Sequence, residues 1–376
     1  MQNEVAILGV GITKFTRTTD KSLQDMAREA GLMALKDAGV EYKDIQTGFC
    51  AHVNQPVGTG MDCFSQLGMT GIPVTNIEVA CASHSRSVMM AADLISAGAY
   101  DLALVIGVEK MPKGMVPIIG DKSDMSIGFL AGIMPMPGAY AMMAQRHMHL
   151  YGTEIKHFAK AAEKAHRNAS LNLNATYREV YSLEEIMNSR MVADPITMLM
   201  CSANANGATA TVVCSKEKAK QYSSNPLMLI GWAGGNPMYL KGHEGDLSEG
   251  PTEFLGKKVY ESTGVGPEDV DIVQLHDAFS PGEIFTMEEL GFCSHGEGGP
   301  FVWEGNTEIN GKIPVNTDGG LVSCGHPIGA TGGRMIAEIC HQLRGDAGQR
   351  QIPGNPKIGL LHNQGWGGTN VMIFKK

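Results

Sequence analysis

Two stretches of this chain, 225 residues apart, carry the same pattern. AGVEYKDIQTGFCA at 38–51 and TGVGPEDVDIVQLHDA at 263–278 each close a helix at Gly-Val, cross an acidic turn and enter an apolar strand. A repeat of that period is too long for a solenoid and predicts duplication of a βαβ-type unit. The segment 22–39 places Leu23, Met26, Ala27, Ala30, Ala34 and Ala38 on one stripe, with Ser22 and Asp25 as a capping box and Gly39 as the stop. β-Branched runs at 5–10, 74–80 and 102–108 surround it, the last two flanking a small-residue helix at about 83–98. Strands alternating with helices predict an α/β protein with a mostly parallel sheet and helices on its faces.

Between the repeats, 111–200 reads differently, rich in Met, Gly and Pro to about 138 and broadly helical over 139–190. Methionines of this density are either gap-filling core or an adaptable apolar surface for a ligand. A strand returns at 207–214, and SKEKAKQYSSNP at 215–226 reads as the linker into the second half.

Composition excludes several functions. The net charge of −9 argues against a nucleic-acid surface, although helix N-termini and a few local cations still suffice for a small anionic ligand. No apolar run reaches the length of a membrane span, VAILGV at 5–10 lacks the flanks of an export signal, and IFKK is not a peroxisomal address. The eight cysteines are dispersed without a CxxC pair or zinc spacing, which points to a reduced cytoplasm and to no metal.

Two motifs carry chemistry. Cys81 in NIEVACASHS lies where a strand ends and a helix begins, a place where the helix N-terminus favours a thiolate. A lone buried cysteine is usually inert packing, so this position needs a partner. His326 in GHPIGATGG supplies one, because an imidazole can take a thiol proton and return it, and glycines let backbone amides approach a ligand. His84, three residues beyond Cys81, reads as a structural histidine; His147, His149 and His157 lack a completing carboxylate or cysteine for a metal site. Arg190, Lys241 and His243 lie in Gly- or Pro-bounded stretches where a nucleotide phosphate could be gripped, though solvated surface charge is their ordinary reading.

VACASH, QLHDAF at 274–279, NTDGGL at 316–321, GHPIGATG and HNQGWGG at 362–368 resemble, in order and spacing, the thiolase superfamily, and most closely its SCP2-like branch. The resemblance spans essentially the whole chain. It implies a thiolase fold with duplicated βαβαβαββ halves in five layers: an N-terminal half at 1–110 and 201–220, an inserted lid at 111–200, and a C-terminal half at 221–376. It implies Cys81 as acyl nucleophile, His326 as its base, and His276 beside His326 in a first oxyanion hole. Asn316, Gly319 and Gly320 would shape the site floor, and the backbone N–H groups of Cys81 and Gly365 a second oxyanion hole.

One departure stands out. Thiolases usually present a second cysteine as acid/base in the C-terminal glycine loop or after the His-Asp pair, where this chain has Asn363 and Ala278. Asparagine cannot shuttle a proton and alanine offers nothing. Cys324 is the nearest sulfur in sequence, with His276 as another candidate.

The implied reaction is thiolysis of a 3-oxoacyl-CoA, with coenzyme A as substrate and a branched or aromatic acyl group such as that of 2-benzoylsuccinyl-CoA. Retro-aldol cleavage and a non-catalytic acyl-CoA-binding or scaffold role are the alternatives. A homodimer through the thiolase core is expected, as is a small zinc-ribbon/OB-fold partner subunit; no nucleic acid and no membrane are expected.

Overall fold

The computed structural model describes residues 3–111, 135–223, 226–236, 250–365 and 368–376. The Met-rich stretch before 135, Lys241 and His243 therefore lie outside the described residues.

Nine of the strands form one sheet. In chain order the strands are β1 (Val5–Ile12), β2 (Thr47–Ala51), β3 (Val74–Ile77), β4 (Leu102–Glu109), β5 (Met191–Ala193), β6 (Ile196–Thr197), β7 (Gly207–Ser215), β8 (Leu227–Gly235), β9 (Ile272–Leu275), β10 (Ile358–Gly365) and β11 (Gly368–Lys375). The sheet order is β3-β2-β4-β7-β1-β8-β11-β10-β9, and β5-β6 make a separate small hairpin.

From the β1/β8 seam outward the two sides repeat each other. β1 pairs antiparallel with β7 and β8 with β11, these pair antiparallel with β4 and β10, and these in turn pair parallel with β2 and β9, so the sheet is mostly antiparallel and corrects the expectation of a mostly parallel one. The counterpart of β3 is a single parallel bridge between Val273 and Val315. The helix at Leu23–Ala38 (α1) ends on Gly39 at φ 68°, and its counterpart at Pro251–Thr263 ends on Gly264 at the same φ. Only a residue without a Cβ takes that left-handed cap at no cost, so the Gly-Val signal marks a real stop in both copies. The Ser22/Asp25 capping box is present as the sequence predicts.

The seam is a finding in its own right. Val5–Ile7 pair with Leu227–Leu229, so the halves share one continuous sheet instead of standing as two separate ones. The helices Ser83–Ser96 (α3) and Thr331–Arg344 lie side by side in the layer between the two sheet halves, in one core with Val105, Leu229, Leu361 and Phe374. α1 and the helix Thr59–Ser65 (α2) cover the outer face of the first half, and Leu255, Val259 and Met287 cover that of the second. This gives five layers.

Helices Pro135–Tyr151 (α4) and Ile155–Ser170 (α5) lie between β4 and β5 in the chain. They pack through Tyr140, Ala144, Phe158 and Ala162 onto Phe279, Phe285 and Leu321. These two helices thereby cover the segment that follows β9.

Candidate active site

The chain must turn sharply between β3 and α3, and Ala80 does so at φ 46°. A non-glycine residue in that region costs about 1–3 kcal/mol and persists only when its surroundings hold it. They do: Ser83 Oγ accepts from Val79 N–H at 2.8 Å and donates to Ala80 C=O at 2.6 Å, while Glu78 accepts from Ala80 N–H. The turn leaves Cys81 half-buried at the mouth of α3.

The second copy of this strand–turn–helix corner delivers His326. Its Nε2 lies 3.2 Å from Cys81 Sγ. Its Nδ1 lies 2.7 Å from Thr331 Oγ1, whose hydroxyl donates to Pro327 C=O at 3.0 Å. Thr331 has one hydrogen, so it accepts from His326, Nδ1 carries the ring proton, and Nε2 is the free base facing the thiol. Burial, with the Arg334 guanidinium adding to it, holds His326 down to about 3. Burial likewise pushes the Cys81 thiol up to about 12, with Glu109 and Glu78 adding to it. The pair therefore rests as neutral thiol and neutral imidazole. This corrects the expectation that the helix N-terminus lowers the thiol pKa: desolvation outweighs it, and the thiolate forms by transfer to His326, as the pairing of the two motifs suggests.

His276 follows β9, and its ring stands edge-on to His326 with centroids 5.4 Å apart. Asn363 Oδ1 accepts from Ser85 Oγ at 2.7 Å, and its Nδ2 donates to His276 Nδ1 at 3.2 Å. His276 Nε2 consequently bears the hydrogen. Burial and the neighbouring His326 keep His276 well below the ordinary imidazole range, so it is a neutral donor. Donor atoms of Cys81, His276 and His326 lie within 4.8 Å of one another, so these three are also the residues that could hold a zinc-like ion.

Asn316 takes φ 50° and grips Leu275 from both sides, accepting from its N–H at 2.9 Å and donating to its C=O at 3.1 Å. It fixes the strand end from which His276 projects. Gly320 is left-handed, and a Cβ there would fall 2.0 Å from Asp277 Oδ2. A Cβ on Gly365 would fall 2.8 Å from the Cys81 nitrogen, so glycine keeps the space before that N–H open.

Cys324 is not brought to this cluster. It is fully buried among Phe15, Ala169, Ala175 and Ala205, and accepts from Asn172 Nδ2 at 3.4 Å. Burial pushes its thiol far up, so the structure corrects the reading of Cys324 as an acid/base. Ala278 is buried against the insert. Arg190 is exposed beside Cys201, and its C=O accepts from Met198 N–H at 2.8 Å. His84 is structural, sharing its ring nitrogens with Thr209 and Thr211. His147 is bound by Thr153 and Glu288, His157 caps α5, and His149 is exposed.

Three contributors escaped the sequence reading. Glu109 accepts from Val53, Asn54 and Gly329 N–H groups and so latches the GHPIG turn to the first half; a lone acid ending an apolar strand was its signal. Thr331 sits in the GHPIGAT string itself, but its role depends on a rotamer. The segment around Ala203 bridges both histidine loops, Ser202 N–H donating to Ala278 C=O and Ala203 C=O accepting from His326 N–H; nothing local marks it.

Comparison with known proteins agrees with this geometry. The thiolase N-terminal domain model matches residues 5–211 and the thiolase C-terminal domain-like model residues 242–375. The acetyl-CoA acetyltransferase of Methanothermobacter thermautotrophicus is 38% identical over 383 residues, covering 99% of this chain and 100% of that protein. Bovine sterol carrier protein 2 is 35% identical over 405 residues, covering 100% of this chain and 73% of that protein. Among solved structures, the Ltp2-ChsH2(DUF35) aldolase superposes with a TM-score of 0.87 at 26% identity, covering 99% of this chain and 97% of that one. Human mitochondrial 3-ketoacyl-CoA thiolase in complex with CoA gives 0.74 at 16%, a likeness of fold, covering 100% and 98%. The chain belongs to the thiolase superfamily, in its SCP2-like branch, and is an acyltransferase of the thiolase type.

Proposed function

We propose that this enzyme cleaves a 3-oxoacyl-CoA with coenzyme A through an acyl group carried on Cys81. The observation that carries the reading is the 3.2 Å contact of Cys81 Sγ with His326 Nε2, whose other nitrogen is committed to Thr331. His326 takes the thiol proton as sulfur attacks the 3-keto carbon. The His276 Nε2–H donates to the oxyanion, and the backbone N–H groups at Cys81 and Gly365 serve the acyl carbonyl of the second step. The C2–C3 bond breaks, the shorter thioester leaves as its enolate, and coenzyme A then removes the acyl group from sulfur.

A branched or aromatic acyl group, as in 2-benzoylsuccinyl-CoA, suits the insert 111–200 acting as a lid: Tyr140 and Phe279 stack at 4.9 Å and Phe158 and Phe285 lie behind them. Arg190, exposed at the insert, is our assignment for the coenzyme phosphates, and no step is routed through a metal. Half-exposed β3 at the sheet edge supports pairing with a second copy. The aldolase likeness, a protein named with a ChsH2(DUF35) component, supports a small zinc-ribbon/OB-fold partner.

That same likeness, with Asn363 and Ala278 in place of a second cysteine, favours retro-aldol cleavage as the second reading. Intact mass after incubation with acetyl-, succinyl- and benzoyl-CoA separates the two. Thiolysis predicts one acyl adduct on the wild type and none on Cys81→Ser. No adduct on either, with or without a co-purifying partner, would move the assignment to the aldolase or to a non-catalytic acyl-CoA-binding subunit.

A further inference from the structure

We propose that Asn370 and Ser85 are positioning residues that lock the tautomer of His276 from outside the catalytic cluster, through a chain of hydrogen bonds anchored on Arg86. The catalytic consequence rests on the thiolase reading above, in which the His276 Nε2–H meets the oxyanion.

The direction of the chain is set at its far end. Arg86, on α3, donates its Nε–H to Asn370 Oδ1, on β11, at 3.0 Å. A guanidinium has donors only, so the Asn370 amide presents its oxygen there and its nitrogen to the other side. That nitrogen donates to Ala82 C=O at 3.1 Å and to Ser85 Oγ at 2.8 Å. Ala82 C=O also accepts from Arg86 N–H at 3.0 Å, which fills both of its lone pairs. The Ser85 hydrogen is thereby left for Asn363 Oδ1, at 2.7 Å the closer of its two acceptors, with Ala82 C=O at 3.0 Å. Asn363 then has only Nδ2 to offer His276, and the 3.2 Å contact makes His276 Nδ1 an acceptor. The ring hydrogen goes to Nε2. Turning the Asn370 amide over would set donor against donor at Arg86 and acceptor against acceptor at Ala82.

Packing keeps the chain closed. Asn363 and Asn370 are fully buried and stand directly opposite each other on β10 and β11, with Ser85 between their side chains. A Cβ on Gly234 would fall 2.6 Å from Asn370 Oδ1 and 2.7 Å from Arg86 Nη2, and one on Gly332 would fall 2.9 Å from Asn363 Oδ1. Glycine at both places leaves the amides room to sit where the chain needs them. Arg86 and Ser85 come from the first half of the chain, and Asn363, Asn370 and His276 from the second, so docking of the halves sets the donor of the oxyanion hole.

The test is Asn370→Asp, which keeps the shape and reverses one link. The carboxylate still accepts from Arg86, whose Nη2 has no partner among the described residues and can pair with the new charge. It also accepts the Ser85 hydrogen, so Asn363 turns its Nδ2 to Ser85 and its Oδ1 to His276, which must then carry its hydrogen on Nδ1. We expect the 15N ring signals of His276, assigned by their loss in His276→Asn, to change from the Nε2–H to the Nδ1–H pattern. Thiolysis kcat should fall roughly 100-fold with KM little changed, because an oxyanion donor is lost. Alkylation of Cys81 by iodoacetamide should keep its wild-type rate, which a general collapse of the site would not allow. A His276 that keeps its hydrogen on Nε2 in this variant overturns the proposal, as does a kcat within about threefold of wild type. Should Asn370→Asp not fold, Ser85→Ala decides: removing the link should give a mixture of both tautomers, and a wild-type ring spectrum overturns the lock. The ring spectrum is taken without substrate, so a wild type that forms no acyl adduct removes the thiolase reading alone and the tautomer is still decided.

Discussion

At the residue scale, the decisive quantity is where the Cys81 proton rests. With the thiol pushed up to about 12 and His326 held near 3, the free enzyme is a neutral pair across the whole working range. Cys81 alkylation by iodoacetamide should therefore rise about tenfold per pH unit between roughly pH 6 and 9, following the small thiolate fraction. A rate already level at pH 6 would mean a preformed thiolate–imidazolium pair and would contradict this account. The residue types at the site were legible because Cys81 and His326 sit at strand–turn–helix corners, positions that core packing does not require. Their protonation states were not, because desolvation is a property of everything packed around a group.

At the scale of elements, the site is two copies of one corner brought face to face. α3 and the helix Thr331–Arg344 begin beside each other, and a Cβ on Gly332 would strike the Ser85 nitrogen at 2.6 Å. The π-helical turn Gly320–Cys324 is the third positioning element, since Leu321 N–H donates to Asp277 Oδ1 at 2.7 Å one residue beyond His276. Gly320→Ala should fail twice: φ is +60°, and the new Cβ meets the Asp277 carboxylate. We expect a loss of about 2–4 kcal/mol in denaturant unfolding, from the left-handed strain and the overpacking, together with weakened activity as His276 is displaced. Wild-type stability in that variant would show that the turn can yield, and the positioning argument would fall.

For the whole molecule, the halves are not separable bodies. Ile95 and Val105 of the first half share a core with Leu229, Leu361 and Phe374 of the second, and β1 pairs directly with β8. Chains comprising 1–221 and 222–376, expressed apart, should each lack a cooperative thermal transition, and recover one only on mixing or co-expression. Circular dichroism of the separate pieces reads this, and a cooperative melt of either alone would refute it. Among the described residues no helix is long and apolar enough to cross a membrane.

The sequence by itself determined the repeat, the capped α1, the alternation of strands and helices, and the two corners that bear Cys81 and His326. Those follow from local rules: the left-handed glycine caps at Gly39 and Gly264, hydrophobic period, and turn chemistry. Only the tertiary structure decided that the two sheets fuse through the β1/β8 seam, that Cys324 faces a closed cluster, and that Asn363 reaches His276. The physical reason is the same in each case. A contact between residues more than a hundred positions apart is fixed by how layers pack, and neither period nor motif carries that information.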